Sequence, residues 1–532
     1  MEIYKASNQR SVIPRRQIVL TMAGVMLAMF LSSLDQTIVG TAMPRIVSDL
    51  GGFSQYTWMT TAYIITSAVA IPVTGKLTDM YGRKYFYIGG LVIFTTASFL
   101  CGLSNSMTQL IICRGIQGIG AGIMMANAFT VIGDLFPPSE RGKYQGLISG
   151  VFGLSSVIGP TLGGFITDVL SWHWIFFLNV PLGIIIIALF FLYFPHLRPD
   201  KLRHQIDYPG VIALILAVVP LLLALSWAGV EYPWSSTQIV GMLAFSAIMM
   251  ACFLFVENRS QEPIIPLSLF KNQIVSISFL VIFFTAFGMF GSIIFVPLFF
   301  QGVLGATATT SGSFLTPMML GVVFGSVASG QILSRAGGHY RLQGLIGIVI
   351  LAIGLGLLSL LTADVSYIRA VFYIIITGIG LGITMPVFTI TVQNAVPHNV
   401  LGVATSATAF FRSIGGSVGL AIMGSAMNNR FASELTGGFI GPIKDLIPQE
   451  QLEAFANNPQ TLVSPEAQAQ FRTLFEQFGT QGPALFEQVL QVLRQALSSA
   501  ISEVFLISLG AVIIALIIQL FIKEIPLRKH NN

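Results

Sequence analysis

The stretch GKLTDMYGRKY, residues 75–85, decides how this chain is read, because a second version of it comes later. Residues 330–340 run GQILSRAGGHY and match it at Gly75/Gly330, Gly82/Gly337 and Tyr85/Tyr340, an offset of 255 residues. QGIGAGIMM (117–125) recurs as TGIGLGITM (377–385), and PPSERG (137–142) as PHNVLG (397–402), both at an offset of 260. Glycine matches in apolar helices are weak singly, since small residues line many helix contacts. Three in one order at nearly one offset mark an internal duplication.

The sequence around these copies is apolar. Over 532 residues the chain is 54% hydrophobic and 9% charged, against about 25% charged in ordinary soluble domains, so most of its length faces something other than water. A bilayer core takes roughly 20 apolar residues to cross as a helix, and the runs here have that length without the alternation of a barrel strand. They predict an all-α polytopic membrane protein with fourteen spans, the first at 17–41 and the last at 500–522.

The divisions expected are an N-terminal segment at 1–16, a six-helix half at 17–194, a linker at 195–207, two inserted helices at 208–257, a linker at 258–273, a second six-helix half at 274–522 and a tail at 523–532. Lysines and arginines gather in segments that an inside N-terminus would make cytoplasmic, so both termini are expected there. That bias also explains the net charge of +5 without a nucleic-acid partner. The first apolar run is too long for a secretion-signal core and lacks a small-residue cleavage site.

Several chemistries are disfavoured. Cys101, Cys113 and Cys252 lie in or at the edges of spans, which speaks against a disulfide framework or a zinc site. The six histidines show no metal-ligand spacing, so no metal centre and no enzyme is expected. Nothing resembles a GxxxxGK[ST] loop, leaving an ion gradient as the energy source and no cofactor. Parallel repeats with a site at their interface are a recurring transporter plan, in which one half rocks against the other.

These motifs carry a family resemblance. GKLTDMYGRK resembles the cytoplasmic signature of the major facilitator superfamily, RGIQGIGAG (114–122) its fourth-span motif, and GPTLGG (159–164) the fifth-span motif of its antiporters. Fourteen spans, with LDQTIVGTAMP (34–44) and WHWIFFLNVP (172–181), resemble the 14-span drug:H+ antiporter family of the EmrB/QacA type. The resemblance implies a major facilitator fold and proton-coupled export of amphipathic drugs or other hydrophobic small molecules by alternating access. It also implies a bacterial cell-membrane location, with protons, a small amphipathic substrate and membrane lipids as partners. A monomer is the expected unit.

On residue chemistry alone, Gly75, Asp79, Gly82, Arg83 and Lys84 make a tight, charged turn at a water interface. The resemblance implies more: Asp79 meeting the positive N-terminal end of span thirteen and joining Arg83 and Asp134 in a relay that closes the cytoplasmic side. In the antiporter motif, Gly159, Gly163 and Gly164 permit close helix contact and Pro160 a bend, with plain packing as the alternative. Ser155 stands where the family usually has glycine.

Asp35 lies ~9 Å below the outer end of span one and Arg114 ~10 Å below that of span four, at 1.5 Å per residue. A carboxylate at such depth is costly unless neutral, paired or hydrated, and by default marks a proton or substrate path. Asp35 and Arg114 are therefore read as a proton-coupling pair, the alternative being a permanent structural pair.

Spans nine to thirteen hold no acid in their interiors, yet Arg412 of FFRSIGGSVG (410–419) lies near the middle of span thirteen. It has three possible roles: pairing with Asp35 during the cycle, binding an anionic head group, or bonding to backbone carbonyls. Trp58, Tyr63, Gln117 and Arg412 are the candidate cavity residues. The 41 Phe and 19 Met suit promiscuous binding.

Residues 428–499 form an outer loop with a helical pattern. SPEAQAQFRTLFEQFG (464–479) begins with a capping serine and a proline, and the stretch from Gly482 keeps apolar residues at 485, 486, 489, 493 and 497 into the last span. Such a stripe covers the outer mouth, docks an extracellular or periplasmic partner, or guides an amphiphile from the bilayer. The last option makes lipid export the alternative function.

Overall fold

A computed structural model describes residues 14–527 except 51–54, 56–57, 196–204, 230, 306–307, 336–338, 364 and 439–481. The expected helix at 464–479, most of the N-terminal segment and of the 195–207 linker, and half of the tail lie outside the described residues.

The helices are α1 (Arg15–Leu50), α2 (Trp58–Tyr81), α3 (Arg83–Gly102), α4 (Met107–Leu135), α5 (Pro138–Val169), α6 (His173–Phe177), α7 (Asn179–Tyr193), α8 (Tyr208–Trp227), α9 (Thr237–Arg259), α10 (Gln273–Gly302), α11 (Ala308–Arg335), α12 (Tyr340–Leu358), α13 (Tyr367–Ala395), α14 (Leu401–Gly438) and α15 (Gly482–Gln519). Polar residues in the short connections start several of them. Ser106 accepts from Gln109 N at the head of α4, Asp207 from Gly210 N at α8, and Asn272 from Ile274 N at α10, each satisfying a donor that the helix itself leaves open.

Among the described residues twelve helical segments are long and apolar enough to cross a membrane, α6 and α7 counting as one. The expected spans at 57–77 and 402–427 fall on α2 and α14, which are long but do not reach that apolarity. Both face protein: Ile65, Ala68 and Ile71 of α2 share a buried cluster with Ala409 and Phe410 of α14. A helix shielded from lipid carries Thr, Ser and Arg at less cost.

The core is divided. Two clusters join residues of α1 to α7, around Tyr87, Phe94 and Phe190 and around Trp172 and Phe176. A larger one joins α10 to α15. The inserted pair, α8 and α9, packs through Leu214, Val218 and Phe253 onto the α2–α14 cluster, and so lies over the seam between the two bundles. Both described chain ends lie at one end of the bundle, here the proximal end: Thr21 donates to Tyr193 O, and Tyr340 Oη to Lys523 O.

Residues 482–519 form one helix of 38 residues. Val489, Leu493 and Leu497 are buried in the cluster that also holds Phe431 and Leu435 at the distal end of α14.

Candidate functional site

Twenty residues into α1, well inside the bundle, the Asp35 carboxylate is 1% exposed. Arg114 Nη1 of α4 donates to Oδ2 at 2.5 Å, while Gln117 Nε2 and Asn179 Nδ2 donate to Oδ1 at 2.9 and 2.8 Å. Arg114 Nη1 also reaches Gln117 Oε1 at 2.8 Å, and its guanidinium lies 4.3 Å from the centre of the Tyr63 ring. Asn179 Nδ2 meets Ser98 Oγ at 2.9 Å, and Ser98 in turn donates to Phe176 O. Helices α1, α3, α4 and α7 thus converge on one carboxyl group.

The energetics of such a cage are asymmetric. A buried ion pair adds little net stability, but removing one partner costs about 3–5 kcal/mol because the other charge is stranded. Protonating Asp35 would cancel the carboxylate charge that holds Arg114, Gln117 and Asn179 together. A change of charge at this one group would be felt by four helices.

A second polar cluster closes the proximal end. Asp79 accepts from Gly402 N at 3.1 Å and Val403 N at 2.8 Å, at the N-terminus of α14. Arg83 pairs with Asp79, donates from Nε to Asp134 Oδ2 at 2.9 Å and from Nη1 to Thr78 Oγ1 at 2.8 Å. His398 Nε2 lies 3.3 Å from the other Asp134 oxygen. Gly82 carries φ +95°, which glycine adopts without strain, and lets α3 begin one residue after α2 ends. Lys84 Nζ donates to Phe191 O at 2.9 Å near the end of α7. Gly75 faces Gly402 O and the Ser406 hydroxyl so closely that a side chain would collide.

The duplicated partner of that contact lies across the seam. Gly330 of α11 and Gly142 of α5 touch backbone to backbone, each leaving no room for a Cβ on the other. Farther along α5, Gly153 still packs on Val323 and Met319, whereas Phe165 and Val169 near its distal end are exposed. Gly159 and Gly163 turn instead to Thr37 and Thr41 of α1, and Gly164 has open space before it. Pro160 lies inside α5. Ser155 hydrogen-bonds Ser33 of α1 at 2.5 Å.

The four candidate cavity residues do not form one group. Tyr63 and Gln117 belong to the Asp35 cage, while Trp58 stands edge-on to Trp227 of α8 at 5.4 Å, against the inserted pair. Arg412 lies in the other bundle, 8% exposed, in a cleft of its own between α10, α13 and α14.

Sequence reasoning overlooked two residues. Asn179 sits in the WHWIFFLNVP stretch, where a lone amide in an apolar run is expensive without a partner; that cost was the available signal. His398 had no signal, because its meeting with Asp134 depends on how two distant connections fold together.

The Major Facilitator Superfamily profile matches residues 25–420. The Multidrug transporter protein MdtP of Bacillus subtilis (strain 168) is 42% identical over 515 residues, covering 96% of this chain and 93% of its own. Multidrug resistance protein 3 of the same strain is 37% identical over 498 residues, 94% of each chain. Among solved structures, the proton:xylose symporter XylE bound to 6-bromo-6-deoxy-D-glucose aligns with a TM-score of 0.59 over 96% of both chains. At 12% identity that likeness speaks for the fold alone.

Proposed function

This chain belongs to the major facilitator superfamily, and from that premise we propose that it exports amphipathic drugs or similar hydrophobic small molecules in exchange for protons. Two relatives described as multidrug proteins support the substrate class. The observation that carries the coupling is the Asp35 cage: an intramembrane carboxylate tied to donors on α4 and α7.

In this reading the chain crosses a bacterial cell membrane fourteen times, α2 and α14 included, as a monomer with both termini in the cytoplasm. The proximal end is then the cytoplasmic one, and the contacts of Asp79, Arg83 and Asp134 hold it shut. A proton arriving from outside neutralises Asp35 and releases Arg114. The cage loosens, the α2–α14 contact opens, and drug enters from the cytoplasm as the proton leaves. Reionised Asp35 rebuilds the cage and returns the drug site to the outer face. The antiporter glycines serve this motion by letting α5 slide on α1 at Gly159 and Gly163.

The test is transport by reconstituted vesicles after a pH jump, with and without sodium. Dye accumulation that follows the pH jump in sodium-free buffer is the expected result. Accumulation driven only by a sodium gradient would overturn proton coupling. No observation favours lipid export as a second reading, since the stripe that suggested it is packed inside the protein.

A further inference from the structure

Arg412 is 8% exposed and about 16 Å along α14 from its proximal end at 1.5 Å per residue. Among the described residues it meets neither an acid nor a hydrogen-bond acceptor. Its cleft is walled by Thr285 and Met289 of α10 and by Thr384, Met385 and Phe388 of α13. Thr285 donates to Val281 O and Thr384 to Leu381 O, so both hydroxyls are spent on their own helices. The guanidinium is the free donor there, with five N–H groups in a planar fork.

A buried cation without a counter-charge is expensive. Among the described residues no acid meets this one. Helices α10 to α13 contain no Asp or Glu. Glu434 lies about 33 Å farther along α14, Glu503 pairs with Arg430, and Asp79 caps α14. Asp35 already holds three donors in the other bundle. Among the described residues the site thus lacks a counter-charge, which a ligand can supply.

We propose that the Arg412 cleft is a head-group subsite for amphipathic organic anions, a carboxylate or sulfonate binding the guanidinium while its apolar body lies along Met289, Met385 and Phe388. This rests on the exporter reading and narrows its substrate class. Carboxylates and similar anions fit the Arg fork through two parallel bonds, and methionine adapts to varied apolar bodies. In this conformation the cleft has room for about one water, so the head group enters as the helices part.

The test is equilibrium dialysis of detergent-solubilised protein, against empty micelles, with two probes of one shape: pyrenesulfonate and a pyrenylmethyl trimethylammonium. Wild type should bind the sulfonate saturably. R412Q should shift the sulfonate-to-ammonium affinity ratio by roughly tenfold or more against the anion, and R412K, which keeps the charge but not the fork, should restore part of it. T384E places an acid beside an intact Arg412 and should displace the sulfonate equally, which decides the matter if R412Q fails to fold. An unchanged ratio in R412Q and T384E, equal loss of both probes, or no saturable sulfonate binding by wild type would overturn the proposal. Because dialysis uses no gradient, a sodium-driven transporter would leave this result standing, and a failed subsite would leave proton coupling standing.

Discussion

The two bundles descend from one repeat but bury charge in opposite ways. The bundle of α1 to α7 holds an acid with every oxygen engaged; that of α10 to α15 holds a cation with no partner among the described residues. The seam shows the same division. Gly75 meets Gly402, and Gly330 meets Gly142, as equivalent contacts of the duplication. The first is armed by Asp79 on the N-terminus of α14, whereas Ser334 stands at the matching position of the second copy. At the first contact a carboxylate caps the facing helix; at the second, glycine backbones meet. The duplication thus gives two like helix contacts, of which only the first copy carries an acid in its motif.

The largest effect should come from the acid of the first bundle. D35N removes the titrating group while keeping an acceptor for Arg114, so pH-driven export should fall to background in protein that still purifies as folded; export at the wild-type rate would erase the functional contrast between the bundles. Next is shape. G330L forces a side chain into the Gly142 backbone and should cost about 1–3 kcal/mol or more, read as a lower thermal midpoint. G164A, facing open space, should stay within about 0.5 kcal/mol, and equal shifts for the two would mean that the close approach is not what matters.

Charge at the seam comes third. D79N weakens the hold on α14 by roughly 1 kcal/mol, enough to shift an open–closed ratio about fivefold. Spin labels at the exposed positions 81 and 342, at the end of α2 and the start of α12 in different bundles, should report a larger population at long distance. The most local effect is that of S155G, which loses the bond to Ser33 and should cost about 0.5–1.5 kcal/mol without changing proton dependence; altered coupling would make Ser155 part of the proton path.

Much of the fold was legible because membrane spans are written in composition and glycine contacts in the repeat. Depth along α1 and α4 sufficed to bring Asp35 and Arg114 together, since 1.5 Å per residue is a rigid ruler. The ruler gives height but not azimuth. Trp58 shares α2 with Tyr63 of the cage, yet it lies about 7.5 Å nearer the distal end and turns toward Trp227 on the inserted pair, which no repeat anticipates. For Arg412, bonding to carbonyls and waiting for an anion look alike in sequence; only the packing of α10 and α13 around it separates them.

Proton exchange at Asp35 can be measured without transport. In weakly buffered detergent solution, drug binding to wild type should release protons, and D35N should bind drug with no release. Equal release from D35N would contradict the assignment of Asp35 as the site where proton and drug compete.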